Sequence, residues 1–347
     1  MSRSVLVFTL LVLGFITNQT TGAAEASLEW SAKLYGDGQH NAFTDLIRWH
    51  EAYYVCFRHG ASHLSMDGEI RVMRSTDLKA WEPCATIDTL GDDRDPHFTT
   101  TGDTLYVYFG TWDLIHTDGH GLPGRGRLRS YFASSKDGQN WSSVQAVYET
   151  GWWLWRVRWH EGAFYSVAYA ITWPSMTSGE ARLLRSEDGL EWSPVSTITK
   201  DRIPDEADMR FLADGSMETI LRSCDNLGVS IFARSNPERT QWQCKDLSAV
   251  IHCPAIVTWK GRVFVSGRGV KDGASVTRIW ELVNDDVNEI ITLPSAGDTT
   301  YPGLLIDPAT ENADQPAFFI TWYSQHERKP ETSDEASIYV GRVVLKP

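Results

Sequence analysis

Ser186-Glu187-Asp188-Gly189-Leu190-Glu191-Trp192 decides how this chain is read. It has the form Ser-x-Asp-Gly-x-x-Trp and follows the apolar-rich run Ala181-Arg182-Leu183-Leu184-Arg185. The same pattern stands at Ser135-Lys136-Asp137-Gly138-Gln139-Asn140-Trp141. A third copy, Ser75-Thr76-Asp77-Leu78-Lys79-Ala80-Trp81, keeps Ser, Asp and Trp but has Leu in place of Gly. A fourth, Ser235 to Trp242, is degenerate and one residue longer. Trp81, Trp141, Trp192 and Trp242 lie 60, 51 and 50 residues apart, and a recurrence near 50 marks an array or propeller. Each copy predicts a hairpin turn. The Asp accepts backbone hydrogen bonds, the Gly takes a positive φ, and the Trp opens the next strand with its indole against a neighbouring sheet.

With the turns as a ruler, the chain divides into six repeats. Each begins with a strand, a polar turn and a second strand. The predicted pairs are Phe43–Trp49 with Tyr53–Arg58, His97–Thr100 with Thr104–Thr111, and Trp155–Trp159 with Ala163–Ala170. They continue with Asp208–Leu212 and Ser216–Arg222, Ala255–Trp259 and Arg262–Arg268, and Tyr301–Ile306 and Ala317–Tyr323. A third strand follows before the Asp turn, as at Glu69–Arg74, Arg129–Ala133 and Ala181–Arg185. The last repeat holds only three strands, ending in Ala336–Leu345, and the orphan Leu28–Leu34 supplies the fourth. The expectation is an all-β, six-bladed β-propeller closed by its N-terminal strand, a closure that removes the open sheet edge.

Composition agrees. The 347 residues include 15 Trp, 12 Tyr and 13 Phe, and no long segment has helical periodicity. Residues 1–23 read as a secretory signal peptide: Arg3, an apolar run from Val5 to Ile16, then small residues. Residues 24–347 read as one propeller domain, secreted or periplasmic, with no membrane span. The net charge of −13 argues against nucleic acid as a partner. It leaves room for an anionic small ligand at a local arginine cluster. Of the five cysteines, Cys224 and Cys244 are placed to pair across one repeat, with buried free thiols the alternative. None shows metal-ligand spacing, and no metal or cofactor is expected.

In a propeller every innermost strand runs the same way along the axis, so their starts converge on one mouth. Those starts carry Asn41 and Asp45, Asp93-Arg94-Asp95, Trp155-Arg156, Asp205-Glu206 with Asp208, Pro254 and Tyr301. The second strands end in Arg58, Trp112-Asp113, Tyr169, Arg222, Arg268 and Tyr323. Arg58, Arg222 and Arg268 read as equivalent places in three repeats, and the planar guanidinium fork suits a carboxylate. Trp152, Trp153, Trp155 and Trp159 can stack on a sugar or pack between blades.

At these residues the chain resembles the sialidase (neuraminidase) superfamily, whose six-bladed propellers carry aspartate-box repeats. Asp205-Glu206-Ala207-Asp208 through Leu221-Arg222 resembles the family's fourth-blade motif, which implies Glu206 as the partner acid and Arg222 as a carboxylate-binding arginine. Val263–Arg268 looks like the strand ending in another such arginine, Arg268. Thr300-Tyr301-Pro302-Gly303 looks like the place of the nucleophilic tyrosine, Tyr301. The general acid lies in a first-blade loop in the family, which implies Asp67 in Arg58–Gly68. The resemblance implies a retaining exo-glycosidase acting on sialic acid or another acidic sugar, with a tyrosine as the family's exception to the usual carboxylate nucleophile.

One departure stands out. The family's first blade opens with Arg-Ile-Pro, whereas this chain has Asn41-Ala42-Phe43-Thr44-Asp45-Leu46, without an arginine. Arg58 is the substitute offered from the neighbouring strand end, and Asp45 would oppose a substrate carboxylate. Arg94-Asp95-Pro96 is similar to the Arg-Asp-Pro motif of five-bladed furanosidases, which offers Asp95 as an acid or hydroxyl ligand and Arg94 beside it. The alternatives are thus a furanosidase-like glycosidase and a non-catalytic carbohydrate-binding propeller.

Overall fold

The computed structural model describes residues 25–346 apart from 90, 113–127, 173–174, 227 and 330–333. The expected leader, residues 1–23, and Asp113, which the sequence predicts at the mouth, lie outside the described residues. Among those described, 24 strands pair into six four-stranded antiparallel sheets. Five sheets each take four consecutive strands. The sixth takes Thr299–Ile306, Ala317–Ser324 and Ser337–Leu345, and its fourth strand is the N-terminal Ala26–Tyr35. That strand pairs antiparallel from Ala26 opposite Leu345 to Tyr35 opposite Ile338, which closes the ring as expected. No helix among the described residues is long and apolar enough to cross a membrane.

The strands differ by radial position. Ala163–Ile171 in the third blade is buried at every residue, because neighbouring blades cover both faces. The outer strand Trp242–Asp246 of the fourth blade is exposed along most of its length. The core therefore lies between blades. Tyr54, Cys56, Ile70 and Val72 of the first pack on Phe98, Leu105, Val107 and Phe109 of the second. Phe264 and Ile279 of the fifth pack on Phe318, Ile320 and Trp322 of the sixth.

The Ser-x-Asp turns share one bonding pattern. The Asp188 carboxylate accepts the N–H groups of Leu190 and Glu191 at 2.9 and 2.8 Å, and the Ser186 hydroxyl accepts that of Gly189. Asp137 and Asp77 repeat it on Gln139 and Asn140 and on Lys79 and Ala80. Leu78, standing where the others have Gly, adopts φ 62° against 75° and 79° for Gly138 and Gly189. In the degenerate fourth copy Asn236 Oδ1 accepts from Thr240 and Gln241 instead. These turns also dock on the preceding blade, since the Tyr108 hydroxyl donates to the Gly189 carbonyl at 2.9 Å.

The innermost strands carry a second repeated device. Each is interrupted by a two-residue bulge near its start: Phe43-Thr44, Asp95-Pro96, Trp155-Arg156, Asp205-Glu206, Cys253-Pro254 and Tyr301-Pro302. Bulges break the ladder and re-aim side chains. Four of the leading residues, Phe43, Asp95, Cys253 and Tyr301, take left-handed φ values of 59°, 51°, 48° and 41°. Non-glycine residues rarely do so, and such backbone gathers where function requires it.

The five cysteines are all free, so the Cys224–Cys244 pairing does not form.

Candidate active site

The bulges of the second, fourth and sixth blades bring Asp95, Asp205, Glu206 and Tyr301 to one place. There a cavity of roughly 200 Å³ is lined by Arg94, Asp95, Asp205, Glu206, Arg222, Arg268 and Tyr301, with His63, Trp112, Trp153, Tyr169 and Met176 completing the wall. Below it the axis is plugged. Arg156 donates to Asp45 at 2.8 Å and to the carbonyls of Pro254 and Pro302, tying four blades together. Asp45, which also accepts the Phe98 N–H, is thereby neutralised under the cavity floor and does not face a ligand.

Tyr301 and Glu206 meet. The phenol donates to Glu206 Oε1, and Arg222 Nη1 donates to the same oxygen at 2.7 Å. Glu206 Oε2 accepts the Cys253 N–H at 2.7 Å. Burial opposes ionisation of Glu206, but Arg222, His252, the phenol and Arg268 outweigh it and hold the carboxyl below its usual range. Burial drives the Tyr301 phenol well above its usual range, with Glu206 and Asp95 adding to the effect. The pair is therefore a neutral phenol on an ionised carboxylate.

Two further acids line the cavity with the opposite tendency. Asp95, 6% exposed, is pushed up to about 8 by burial, which Arg94 only partly offsets. Its Oδ1 is buried and has no hydrogen-bond partner. Asp205 is likewise raised, by burial and then by Glu206, with Arg222 opposing; the Cys224 thiol donates to it at 3.0 Å. Environments that separate the protonation of neighbouring carboxyls divide the proton donors from the bases.

The arginines do not behave as one set. Arg58 and Arg268 are equivalent: each pairs across the ladder with the residue just before the bulge, Ala42 and His252. Arg222 stands one residue earlier, opposite the bulge itself, so strand alternation sends it to the other face. Arg222 and Arg268 reach the cavity. Arg58 does not. It is fully buried, bonded at 2.7 Å to Asp92 and at 3.1 Å to Ser65 under the first-blade loop. Arg94 lines the cavity with its guanidinium over Phe43 and Trp112, and its Nη atoms are engaged by Asp92 and by the carbonyl and ring of His63.

Asp67 is not brought to the cavity either. It is exposed, its carboxylate accepts the Ala61 N–H, and the loop carries His63 inward instead. Of the tryptophan run only Trp153 lines the cavity, stacked on Tyr169 with an interplanar angle of 8°. Trp155 is fully buried beside Tyr301, Trp152 lies under Arg182, and Trp159 packs on Phe164. Sequence reasoning passed over His63, Met176 and Asp298. Asp298 had a readable signal, because it precedes the sixth inner strand as Asp92 precedes Asp93 in the second. Asp92 holds Arg58 as Asp298 holds Arg268, at 3.2 Å.

No family model and no curated protein matches the chain. Solved structures do. The chain is similar to a Dyadobacter fermentans protein of unknown function, with a TM-score of 0.77 and 18% identity over 92% of this chain and 99% of that one. It is similar to Trypanosoma rangeli sialidase in complex with the inhibitor DANA, with a TM-score of 0.64 and 11% identity over 92% of this chain and 59% of that one. A phage phi92 endosialidase gives a TM-score of 0.62 at 10% identity, over 91% and 69% of the two chains. At these identities the likeness concerns fold. Six bulged blades and six shared places around one axis make this chain a six-bladed propeller of sialidase-like fold.

Proposed function

We propose that the protein is a retaining exo-glycosidase for a small acidic sugar, with Tyr301 as nucleophile and Glu206 as its base. The observation that carries this reading is the hydrogen bond from the Tyr301 phenol to a Glu206 carboxylate that Arg222 keeps ionised. A phenol is a weak nucleophile until an adjacent base takes its proton. In the first step the Tyr301 oxygen bonds to the anomeric carbon, its proton passes to Glu206, and the bond to the leaving oxygen breaks. Asp95 supplies the proton to that oxygen, since it lines the same cavity and holds its proton near neutral pH. In the second step water displaces the tyrosine, Asp95 takes the water's proton, and Glu206 returns the first one.

Arg222 and Arg268 supply positive charge for a substrate carboxylate, which a neutral phenol does not repel. A cavity near 200 Å³ accommodates about one sugar ring, which suits release of a terminal residue. The substrate is thus a glycan ending in sialic acid or a similarly acidic sugar, and export is the expected setting.

The test is hydrolysis of fluorogenic sialosides and uronides, together with mass spectrometry of protein treated with a fluorinated acidic glycosyl fluoride. Release of the fluorophore and a sugar adduct on Tyr301 are expected. Sugar binding with no turnover and no adduct would sink the enzyme reading in favour of a binding propeller.

A further inference from the structure

The first-blade loop that keeps Asp67 outside the cavity delivers His63 to its rim. His63 Nδ1 lies 2.6 Å from Asp298 Oδ2 in the sixth blade. Its carbonyl accepts Arg94 Nη1 at 2.5 Å, and its Nε2 faces Arg94 Nη2 at 3.3 Å. One residue therefore spans the mouth from blade two to blade six. A second histidine, His40, reaches the same Asp298 oxygen through Nε2 at 3.0 Å, with its Nδ1 facing Arg58 Nη1 at 3.4 Å. Asp298 Oδ1 in turn accepts Arg268 Nη2 and the Tyr323 hydroxyl at 3.2 and 2.5 Å.

These partners assign the protons. A guanidinium only donates, so the ring nitrogen facing each arginine must accept. His63 then carries its proton on Nδ1, His40 carries its proton on Nε2, and both N–H groups point at Asp298. Burial opposes ionisation of that carboxylate, but the two histidines and Arg268 outweigh it and hold it far below the usual range. The three side chains also stand close enough to bind a metal ion. The assigned protons argue against that, because an ion would displace both N–H groups and would need His40 protonated on Nδ1, against the Arg58 guanidinium.

We propose that His63 is a positioning residue for ligand binding: a neutral imidazole clasp that joins Arg94 to Asp298 and so fixes Arg268 across the mouth. Without His63 the Asp298 charge would be shared by His40, Tyr323 and Arg268 only, and Arg268 would carry more of it. Two imidazole N–H groups share it, which leaves the guanidinium oriented and available to an anionic ligand. This rests on the proposed reading of the cavity as an acidic-sugar site, and one arm of its test does not.

The arm independent of ligand is nitrogen-15 NMR of the free protein near pH 7. His63 should appear as the neutral Nδ1–H tautomer and His40 as the neutral Nε2–H tautomer. An imidazolium or the opposite tautomer at His63 would overturn the clasp whatever the protein binds. The second arm is calorimetric titration with N-acetylneuraminate and glucuronate as probes. His63→Ala should weaken the acid that binds by about tenfold, the loss of one charge-assisted hydrogen bond. His63→Asn, whose amide can donate to Asp298 and accept from Arg94, should recover most of that. Unchanged affinity in His63→Ala overturns the proposal, as does stoichiometric zinc bound by the purified protein and lost in that variant. If the parent binds neither acid while the tautomers are as assigned, the acidic-sugar reading fails and the clasp stands.

Discussion

The outer turns and the inner bulges are both repeated devices, and they repeat different things. At the turns backbone and side chains recur together: Asp77, Asp137 and Asp188 make the same bonds, and even Leu78 bends into the glycine conformation. At the bulges the break in the ladder recurs in all six blades, while the leading side chain does not. The leading residue is Phe43, Asp95, Trp155, Asp205, Cys253 or Tyr301 in turn. A device that conserves its chemistry holds the blades in register. One that repeats a backbone while varying its side chains brings unlike groups to one point, as a site for chemistry requires. Each region can therefore be broken with little damage to the other.

The largest effect belongs to the inner ring. Tyr301→Phe removes one oxygen from the cavity and keeps the aromatic packing on Phe43 and Trp155. We expect kcat on an acidic glycoside to fall by at least about a thousandfold, the scale of losing a nucleophile, with stability lowered by no more than about 1.5–3 kcal/mol, the worth of the one bond lost to the Glu206 carboxylate. Steady-state kinetics and calorimetry on one preparation check both halves. A variant that keeps its kcat would remove Tyr301 from the reaction.

Asp95 supplies the next contrast, because its protonation joins stability to activity. Its folded pKa of about 8 lies far above the ordinary 3.8. Between those values the folded protein holds a proton that the unfolded chain has released, so raising the pH favours unfolding. Asp95 then contributes a loss of about 1.4 kcal/mol per pH unit across that window. The stability difference between parent and Asp95→Asn should carry this slope from about pH 4 to 8 and flatten above it. The parent's kcat should fall as pH rises through about 8, where the proposed acid loses its proton. Equal slopes in parent and variant by denaturant titration would show that Asp95 is ionised when buried.

A smaller effect tests the turns. Gly189 and Gly162 have nearly equal φ values of 79° and 80°. A Cβ at 162 meets nothing within 4 Å, whereas one at 189 comes within 2.5 Å of the Tyr108 hydroxyl. Gly162→Ala should cost about 1 kcal/mol, the left-handed penalty alone. Gly189→Ala should cost about 1–3 kcal/mol more as the turn is pushed off the neighbouring blade. Equal losses in chemical denaturation would mean that the turn does not dock there.

The same contrast explains what could be read without coordinates. Repeat length, strand pairs and ring closure were legible because they depend on local turn chemistry, alternation and one orphan strand. Tyr301, Glu206, Arg222 and Arg268 were legible because each lies near the start of an inner strand or toward the end of the next one, in a direction the ring imposes. The bulges left a trace that went unread: Asp95-Pro96, Cys253-Pro254 and Tyr301-Pro302 set proline inside strands, where it belongs only at edges or bulges. Asp67 and Arg58 went astray for another reason. Which residue of the loop 61–68 turns inward depends on long-range bonds, from Arg58 to Asp92 and from His63 to Asp298. Arg58 and Arg268 share one register position, so what keeps Arg58 in the core is the first-blade loop, whose Ser65 bonds it from one side while Asp92 holds it from the other.

The smallest effect isolates one bond between blades. Tyr108→Phe removes the hydroxyl that donates to the Gly189 carbonyl and leaves the ring stacked on Phe132 and edge-on to Trp192. The loss should be about 1 kcal/mol, the net worth of one buried hydrogen bond, seen as a lower denaturation midpoint with an unchanged denaturant slope. Because the bond joins a second-blade strand to a third-blade turn, remote from the cavity lining, kcat and KM should stay at parental values. A change in either constant would mean that outer turn and inner bulge are coupled through the blade, and the division of labour between them would fail.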